Sequence, residues 1–337
     1  VGRRWWLAVF AACGVAAITL TWLDIRDAWF APKDEFKVWV QLLIYWGCWT
    51  VWPASVMLAW SALARWRQGL RRQALWALVG LIGCALLVWM RFIEPSLLVV
   101  REASVSSTCG VRVALISDLH LGIYGRTHDL DRLVDRLNTL EVDAVLIAGD
   151  ITVEPPRDLV RMLAPLKRLR HRTLSVTGNH DEQHPGAPLT QALRDALTSV
   201  NVRSIEGQRV PLGSCELLGM GDLRSGSASG DLFRLRTHAA MSGAVDAAHR
   251  VVLVHDPDTA TFFPKNFAGL VLAGHTHGGQ IDLPWLTDRL LHAATRGHFR
   301  RGLYTLPMTR VFVTSGVGMS KLPLRFRVWP VIDVLEL

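Results

Sequence analysis

The chain has 337 residues, 37 Lys/Arg against 29 Asp/Glu, a formal net charge of +8 and a half-hydrophobic composition. That much apolar content excludes an intrinsically disordered chain. Five cysteines in this length exclude a disulfide-dense scaffold.

Composition divides the chain near residue 100. The first hundred residues hold 12 of the 14 Trp and none of the 12 His. They carry 10 Lys/Arg against 5 Asp/Glu, and the remainder carries 27 against 24. So thin an excess lacks the clustered basic face of a nucleic-acid footprint, and no nucleic-acid partner is expected.

The first predicted elements are apolar helices. Residues 5–23, 38–64 and 74–90 carry no charge. At ~1.5 Å per residue they span ~28, ~40 and ~25 Å, against ~30 Å of hydrocarbon. Three transmembrane helices are expected, at about 5–23, 38–64 and 74–93, the middle one tilted or overhanging. They form a membrane domain over 1–100, with a second domain over 101–337. Pro53 lies inside the second span, where a kink is tolerated in lipid. Trp5, Trp6, Trp22, Trp60 and Trp66 mark span ends as an interfacial aromatic belt does.

Orientation follows from the basic residues. Arg3 and Arg4 precede the first span, and Arg65, Arg67, Arg71 and Arg72 fill the loop between the second and third. The positive-inside rule puts both in the cytoplasm. Three crossings then carry everything after Met90 to the outer side. The expectation is a multi-pass protein of a bacterial inner (cytoplasmic) membrane, with residues 101–337 in the periplasm. Cys109 and Cys215 could pair there, although spacing alone does not bring them together.

From residue 111 short apolar runs alternate with helical patterns. Strands are expected at 111–117, 143–148, 173–177, 251–254, 270–273 and 310–314, and helices at 130–140, 157–169 and 189–200. Strand–helix alternation of this kind makes an α/β domain. Residues 225–230 read as a surface loop.

Polar clusters follow the strands: Asp118-Leu119-His120, Gly149-Asp150, Gly178-Asn179-His180-Asp181, His255 and Gly274-His275-Thr276-His277. In α/β sheets, sites form at the carboxyl ends of strands. Asp118, His120, Asp150, Asn179, His180, His255, His275 and His277 offer oxygen and imidazole donors and no thiolate. Such a set suits Mn, Fe, Zn, Co or Ni, and is too rich in His for calcium. It is also too large for one ion, so two divalent metal ions sharing a carboxylate are expected, an arrangement suited to phosphoryl displacement.

In this order the five clusters resemble the calcineurin-like metallophosphoesterase family. The stretch 274–280, Gly302-Leu303-Tyr304 and Ser315-Gly316-Val317-Gly318 resemble its membrane-associated bacterial phosphodiesterases and transmembrane members. The resemblance implies a four-layer α/β/β/α sandwich over 101–337. It implies one metal on Asp118, His120, Asp150 and His277, and another on Asp150, Asn179, His255 and His275. It implies attack on phosphorus by metal-bound hydroxide, with His180 as the catalytic histidine and Asp181 orienting it.

The expected activity is hydrolysis of a phosphodiester, on a phosphorylated lipid, a glycolipid or a small molecule. One alternative is a pyrophosphate hydrolase of the UDP-2,3-diacylglucosamine type in lipid A synthesis, which needs a cytoplasmic site. Another is a metal-binding membrane sensor or scaffold without turnover. Residues 281–291, rich in Leu and Trp, read first as the start of a core helix and second as a contact for lipid or an acyl chain. Arg300, Arg301, Arg325 and Arg327 read equally as a second phosphate site or as solvated surface.

Overall fold

The computed structural model describes residues 2–26, 35–105, 107–125, 127–182, 189–222, 246–295 and 298–337. The loop expected at 225–230 lies outside them. Four helices open the chain: α1 (Gly2–Arg26), α2 (Glu35–Gly47), α3 (Val51–Arg67) and α4 (Arg71–Val88). They make three candidate membrane spans, Trp5–Arg26, Phe36–Arg67 and Arg71–Ser96. A 3-10 turn at Cys48–Thr50 joins α2 to α3. Pro53 accounts for it, since its ring lacks an N–H and crowds the carbonyl four residues back. Trp5, Trp22, Trp60 and Trp76 lie exposed on these helices, a surface that asks for lipid.

The second span is longer than a bilayer needs, and the excess packs on protein. Val38 and Leu42 of α2 are buried with Ile123, Tyr124, Val153 and Met319. Tyr45 stacks on Tyr124 at 5.9 Å, and the Arg91 guanidinium lies 4.1 Å from the Tyr45 ring centre. At the end of the third span, Glu94 accepts from the Trp89 indole (2.7 Å) and the Val328 backbone N–H (2.8 Å). The end of α1, the start of α2 and the end of the third span therefore share one side. The Arg65–Arg72 turn lies ~35 Å along the helix from Leu42.

Two six-stranded sheets follow. The first has the order β1 (Val99–Ser104), β14 (Val331–Glu336), β2 (Arg112–Ile116), β4 (Ala144–Ala148), β6 (Arg172–Val176), β7 (Val202–Ser204). The second runs β12 (Gly302–Thr305), β13 (Arg310–Val313), β11 (Leu270–Ala273), β10 (Arg250–Leu253), β9 (Cys215–Gly219), β8 (Arg209–Leu212). A short pair, β3 (Leu121–Gly122) with β5 (Thr152–Val153), ties two loops at the rim.

The period of two along each strand builds the layers. On β4, Ala144, Leu146 and Ala148 enter the core between the sheets, with Leu217, Leu253, Leu272 and Phe312 of the second sheet. Val145 and Ile147 face the other way, against Leu133 and Leu137 of α5 (Thr127–Leu137) and Leu193 and Leu197 of α7 (Thr190–Ser199). Among the described residues, the outer face of the second sheet meets Phe263, Phe267, Phe299 and the 3-10 segment Pro257–Phe262. The helix expected over 157–169 is shorter: α6 (Leu159–Leu163) tightens into a 3-10 turn at Ala164–Arg168, where Pro165 cannot donate.

Candidate metal centre

Strands β2, β4 and β6 run parallel in the first sheet, and β10 and β11 run parallel in the second. Their carboxyl ends meet at one edge of the sandwich. The loop after β2 delivers Asp118 and His120, β4 delivers Asp150, β6 delivers Asn179 and His180, β10 delivers His255, and β11 delivers His275 and His277. Backbone bonds lock these loops: Asp118 N–H to Gly149 O (3.0 Å), His120 N–H to Asp150 O (3.1 Å), Gly274 N–H to His255 O (3.0 Å).

The turns are tight enough to force unusual backbone. Asp118, His120, Asp150, His275 and His277 all have positive φ, between 49° and 70°. Each such non-glycine conformation costs roughly 1–3 kcal/mol and persists only where the surroundings impose it. Gly149, at φ 79°, turns the chain between β4 and Asp150. At Gly178 a Cβ would strike Asp150 Oδ1, so only glycine lets the β6 loop come this close.

Ligand atoms of three overlapping trios lie within 4.8 Å of one another: Asp118, His120 and His277; His120, Asp150 and His180; Asp150, His255 and His275. One Asp150 oxygen is 3.4 Å from His120 Nε2 and 3.2 Å from His255 Nε2, so it reaches both halves. His277 Nε2 is 3.2 Å from His120 Nε2, and His275 Nδ1 is 3.1 Å from His255 Nε2. At most one proton can sit between such a pair of ring nitrogens. Asp118 Oδ1 and Asn179 Oδ1 are buried with no hydrogen-bond partner. Buried acceptors left open beside facing imidazoles suit divalent cations, so the donor set fits the metals expected from the sequence.

Electrostatics reflect the crowding of buried carboxylates and imidazoles. Burial pushes the Asp118 carboxyl up, but His277 and His120 outweigh it and hold it well below the usual range. Burial opposes a proton on His120, yet Asp118 and Asp150 raise it to about 9. His180 is lowered to about 4, by burial first and then by His120, Lys37 and His255, against the pull of Asp150. The ring is therefore neutral at neutral pH.

The sequence model of the calcineurin-like phosphoesterases matches residues 111–279, which contain Asp118, His120, Asp150, Asn179, His180, His255, His275 and His277. The chain belongs to that family. The phosphoesterase is 28% identical to the uncharacterised metallophosphoesterase YkuE of Bacillus subtilis, over 79% of this chain and 97% of that one. It is 30% identical to a bovine transmembrane protein with metallophosphoesterase domain, over 64% of this chain and 50% of the other. It is 26% identical to phosphodiesterase YaeI of Escherichia coli, over 67% and 82% respectively. The chain spans nearly all of YkuE and about half of several others.

Three expectations need correction. Asp181 does not orient the His180 ring. Its carboxylate accepts from the backbone N–H of Ile151 (3.1 Å), Thr152 (2.8 Å) and Gly178 (3.0 Å) and from the Thr152 hydroxyl (2.9 Å). It pins the Asp150 turn to the Asn179 turn, and acts on His180 only through that backbone. Arg325 is no phosphate ligand. It is fully buried and donates to the carbonyls of Ser315, Gly316, Gly318 and Val328. The stretch from 281 is not a core helix start, because Trp285 is 87% exposed and Leu290 is 63% exposed.

Arg300 is held by Asp282 (2.7 Å) and Asp288 (2.9 Å), which offsets its charge. Sequence reasoning missed Lys37. This residue of α2 lies near enough to His180 to depress it electrostatically. Nothing in the local sequence around Lys37 signals the proximity, which only the docking of α2 creates.

Proposed function

We propose that this phosphoesterase is a membrane-anchored, two-metal phosphodiesterase acting at the extracytoplasmic face of a bacterial cytoplasmic membrane on a phosphorylated lipid or glycolipid. The observation that carries the reading is the convergence of Asp118, His120, Asp150, Asn179, His255, His275 and His277 beside His180. Two divalent ions, one on Asp118, His120, Asp150 and His277 and one on Asp150, Asn179, His255 and His275, would supply Lewis acidity toward phosphate oxygens and lower the pKa of water.

The chain's own residues do the rest. His180, as a neutral ring, can donate a hydrogen bond from its N–H to the departing oxygen and stabilise the charge that develops there, while the proton that oxygen finally takes comes from solvent. Asp181 keeps the Asp150 and Asn179 turns in register. Lys37 contributes positive potential at His180. The name of YaeI favours diester chemistry, and the transmembrane relatives favour an anchored enzyme.

Two observations support the extracytoplasmic side. The Arg65–Arg72 turn sits at the far end of the helices from the site, as a cytoplasmic loop would. Cys109 and Cys215 form a disulfide, which belongs to an oxidising compartment. The same disulfide weighs against the cytoplasmic pyrophosphate hydrolase, and the complete ligand set weighs against a sensor without turnover. The test compares p-nitrophenyl phosphate, bis(p-nitrophenyl) phosphate and UDP-2,3-diacylglucosamine as substrates of the full chain in detergent with Mn²⁺. The diester is expected to give the highest kcat/KM. Preference for the monoester or the pyrophosphate would overturn the reading.

A further inference from the structure

One cavity of about 760 Å³ is lined at one end by Asp150, Asn179, His180 and His277. Its other end is lined by Leu283, Leu286, Leu290 and Leu322, with Lys321 beside them. That volume lies in the range of small-molecule sites. The polarity is lopsided: metal ligands on one side, leucine side chains with one lysine among them on the other. Leu286 and Leu290 belong to α8 (Leu286–Ala294), and they are 49% and 63% exposed although they line a cavity. Water therefore reaches an apolar wall that a soluble substrate would leave wet.

The position of the wall is as telling as its composition. Ser320, Lys321 and Leu322 line the cavity, and the preceding residue, Met319, packs on Val38 and Leu42 of α2. The Tyr124 hydroxyl donates to Lys321 O (2.7 Å), and Tyr124 stacks on Tyr45. The cavity is thus separated from a membrane-spanning segment by one loop. Trp285 adjoins it, 87% exposed and held at φ 57°, a conformation that a bulky residue takes only under constraint. Exposed Trp and Leu of this kind are what the interfacial layer of a bilayer accommodates.

We propose that this cavity receives a membrane lipid phosphate ester with its phosphate at Asp150, His180 and His277 and its acyl chain along Leu283, Leu286, Leu290 and Leu322. The proposal takes the phosphate end from the phosphodiesterase reading and adds the chain-binding wall. It makes chain length a determinant of affinity, because each methylene moved from water onto leucine contributes up to about a fourfold gain.

The test is calorimetric titration of the Mn²⁺-loaded full chain in nanodiscs with ethyl-, butyl- and octylphosphonate, beside a Leu286→Ser/Leu290→Ser double variant. Octylphosphonate is expected to bind the native chain at least tenfold more tightly than ethylphosphonate. The variant is expected to lose most of that ratio, and partition into the nanodisc, common to both proteins, is subtracted by the comparison. Equal affinities across the series, or a ratio unchanged in the double variant, would overturn the proposal. Hydrolysis of bis(p-nitrophenyl) phosphate by the same preparation reports on the catalytic reading separately. Chain-length-dependent binding without that turnover would sink the catalysis and keep the wall.

Discussion

Asp150 links the two halves of the site, with one oxygen near His120 and His255 and the other accepting from the His180 backbone (2.9 Å). The identities of such residues are legible in sequence because each follows an apolar strand and no other residue type would serve. Their backbone is not. Positive φ at Asp118, His120, Asp150, His275 and His277 depends on loops from two sheets pressing together, which no local pattern encodes. Asp181 shows the same limit: its neighbour His180 is adjacent in sequence, but its partners Ile151 and Thr152 lie thirty residues away.

His120 gives a pH prediction at this scale. Without metal its proton is held up to about 9, so a metal must displace it at neutral pH. The displaced proton makes binding tighter as pH rises, until about 9, where the ring is already bare. Mn²⁺ affinity should therefore strengthen between pH 6 and 8, with net proton release measurable by calorimetry in buffers of different ionisation enthalpy. An affinity flat over that range would contradict the assignment of His120 as a ligand.

At the scale of elements, the strands that carry ligands and the framing strand β13 are readable, and β14 is not. The apolar runs at β2, β4, β10 and β11 announce burial on both faces. β14 enters the first sheet between β1 and β2, parallel to one and antiparallel to the other, an arrangement that only tertiary pairing decides. The Ile281 segment misled because Leu and Trp read as core by composition, whereas their exposure depends on what neighbours them. The β6 turn offers a sharp test. Gly178→Ala would push a methyl into Asp150 Oδ1, and overpacking of this kind costs roughly 1–3 kcal/mol. Metal affinity should fall at least tenfold alongside a lower thermal midpoint; native affinity in a folded variant would show that the turn has slack.

At the scale of the whole molecule, the candidate membrane spans also pack against the catalytic domain. Arg325 donates its backbone N–H to Met90 O (2.9 Å) at the end of the third span, while its guanidinium holds the Gly316–Gly318 loop. The Gly318 N–H in turn reaches Asp118 O (2.7 Å), so span and metal ligand are linked by a short run of contacts. The spans themselves were legible from charge-free length. Their docking on the site was not, because it arises from Val38, Leu42 and Tyr45 at an end that reads as plain membrane helix.

The disulfide operates at this scale as well. It closes a loop of 106 residues between the segment after β1 and β9. Removing a native disulfide typically costs roughly 2–5 kcal/mol, and a loop this long lies toward the upper end. Cys109→Ser should lose that amount in denaturant unfolding of the native chain, and the same loss should appear on adding reductant. No change with reductant would indicate that the two thiols are unpaired in the cell, and would remove one support for the extracytoplasmic side.

The seven-ligand constellation is proposed to hydrolyse phosphodiesters in a metal-dependent way. Steady-state hydrolysis of bis(p-nitrophenyl) phosphate by the full chain, titrated with Mn²⁺ and then with chelator, tests it beside Asp150→Asn and His180→Asn. Saturable turnover abolished by chelator is predicted, with Asp150→Asn losing both metal and activity. His180→Asn should keep its metal and lose about 10²–10⁴ in rate. Turnover that survives chelation, or that survives in Asp150→Asn, would contradict metal-dependent hydrolysis at these ligands.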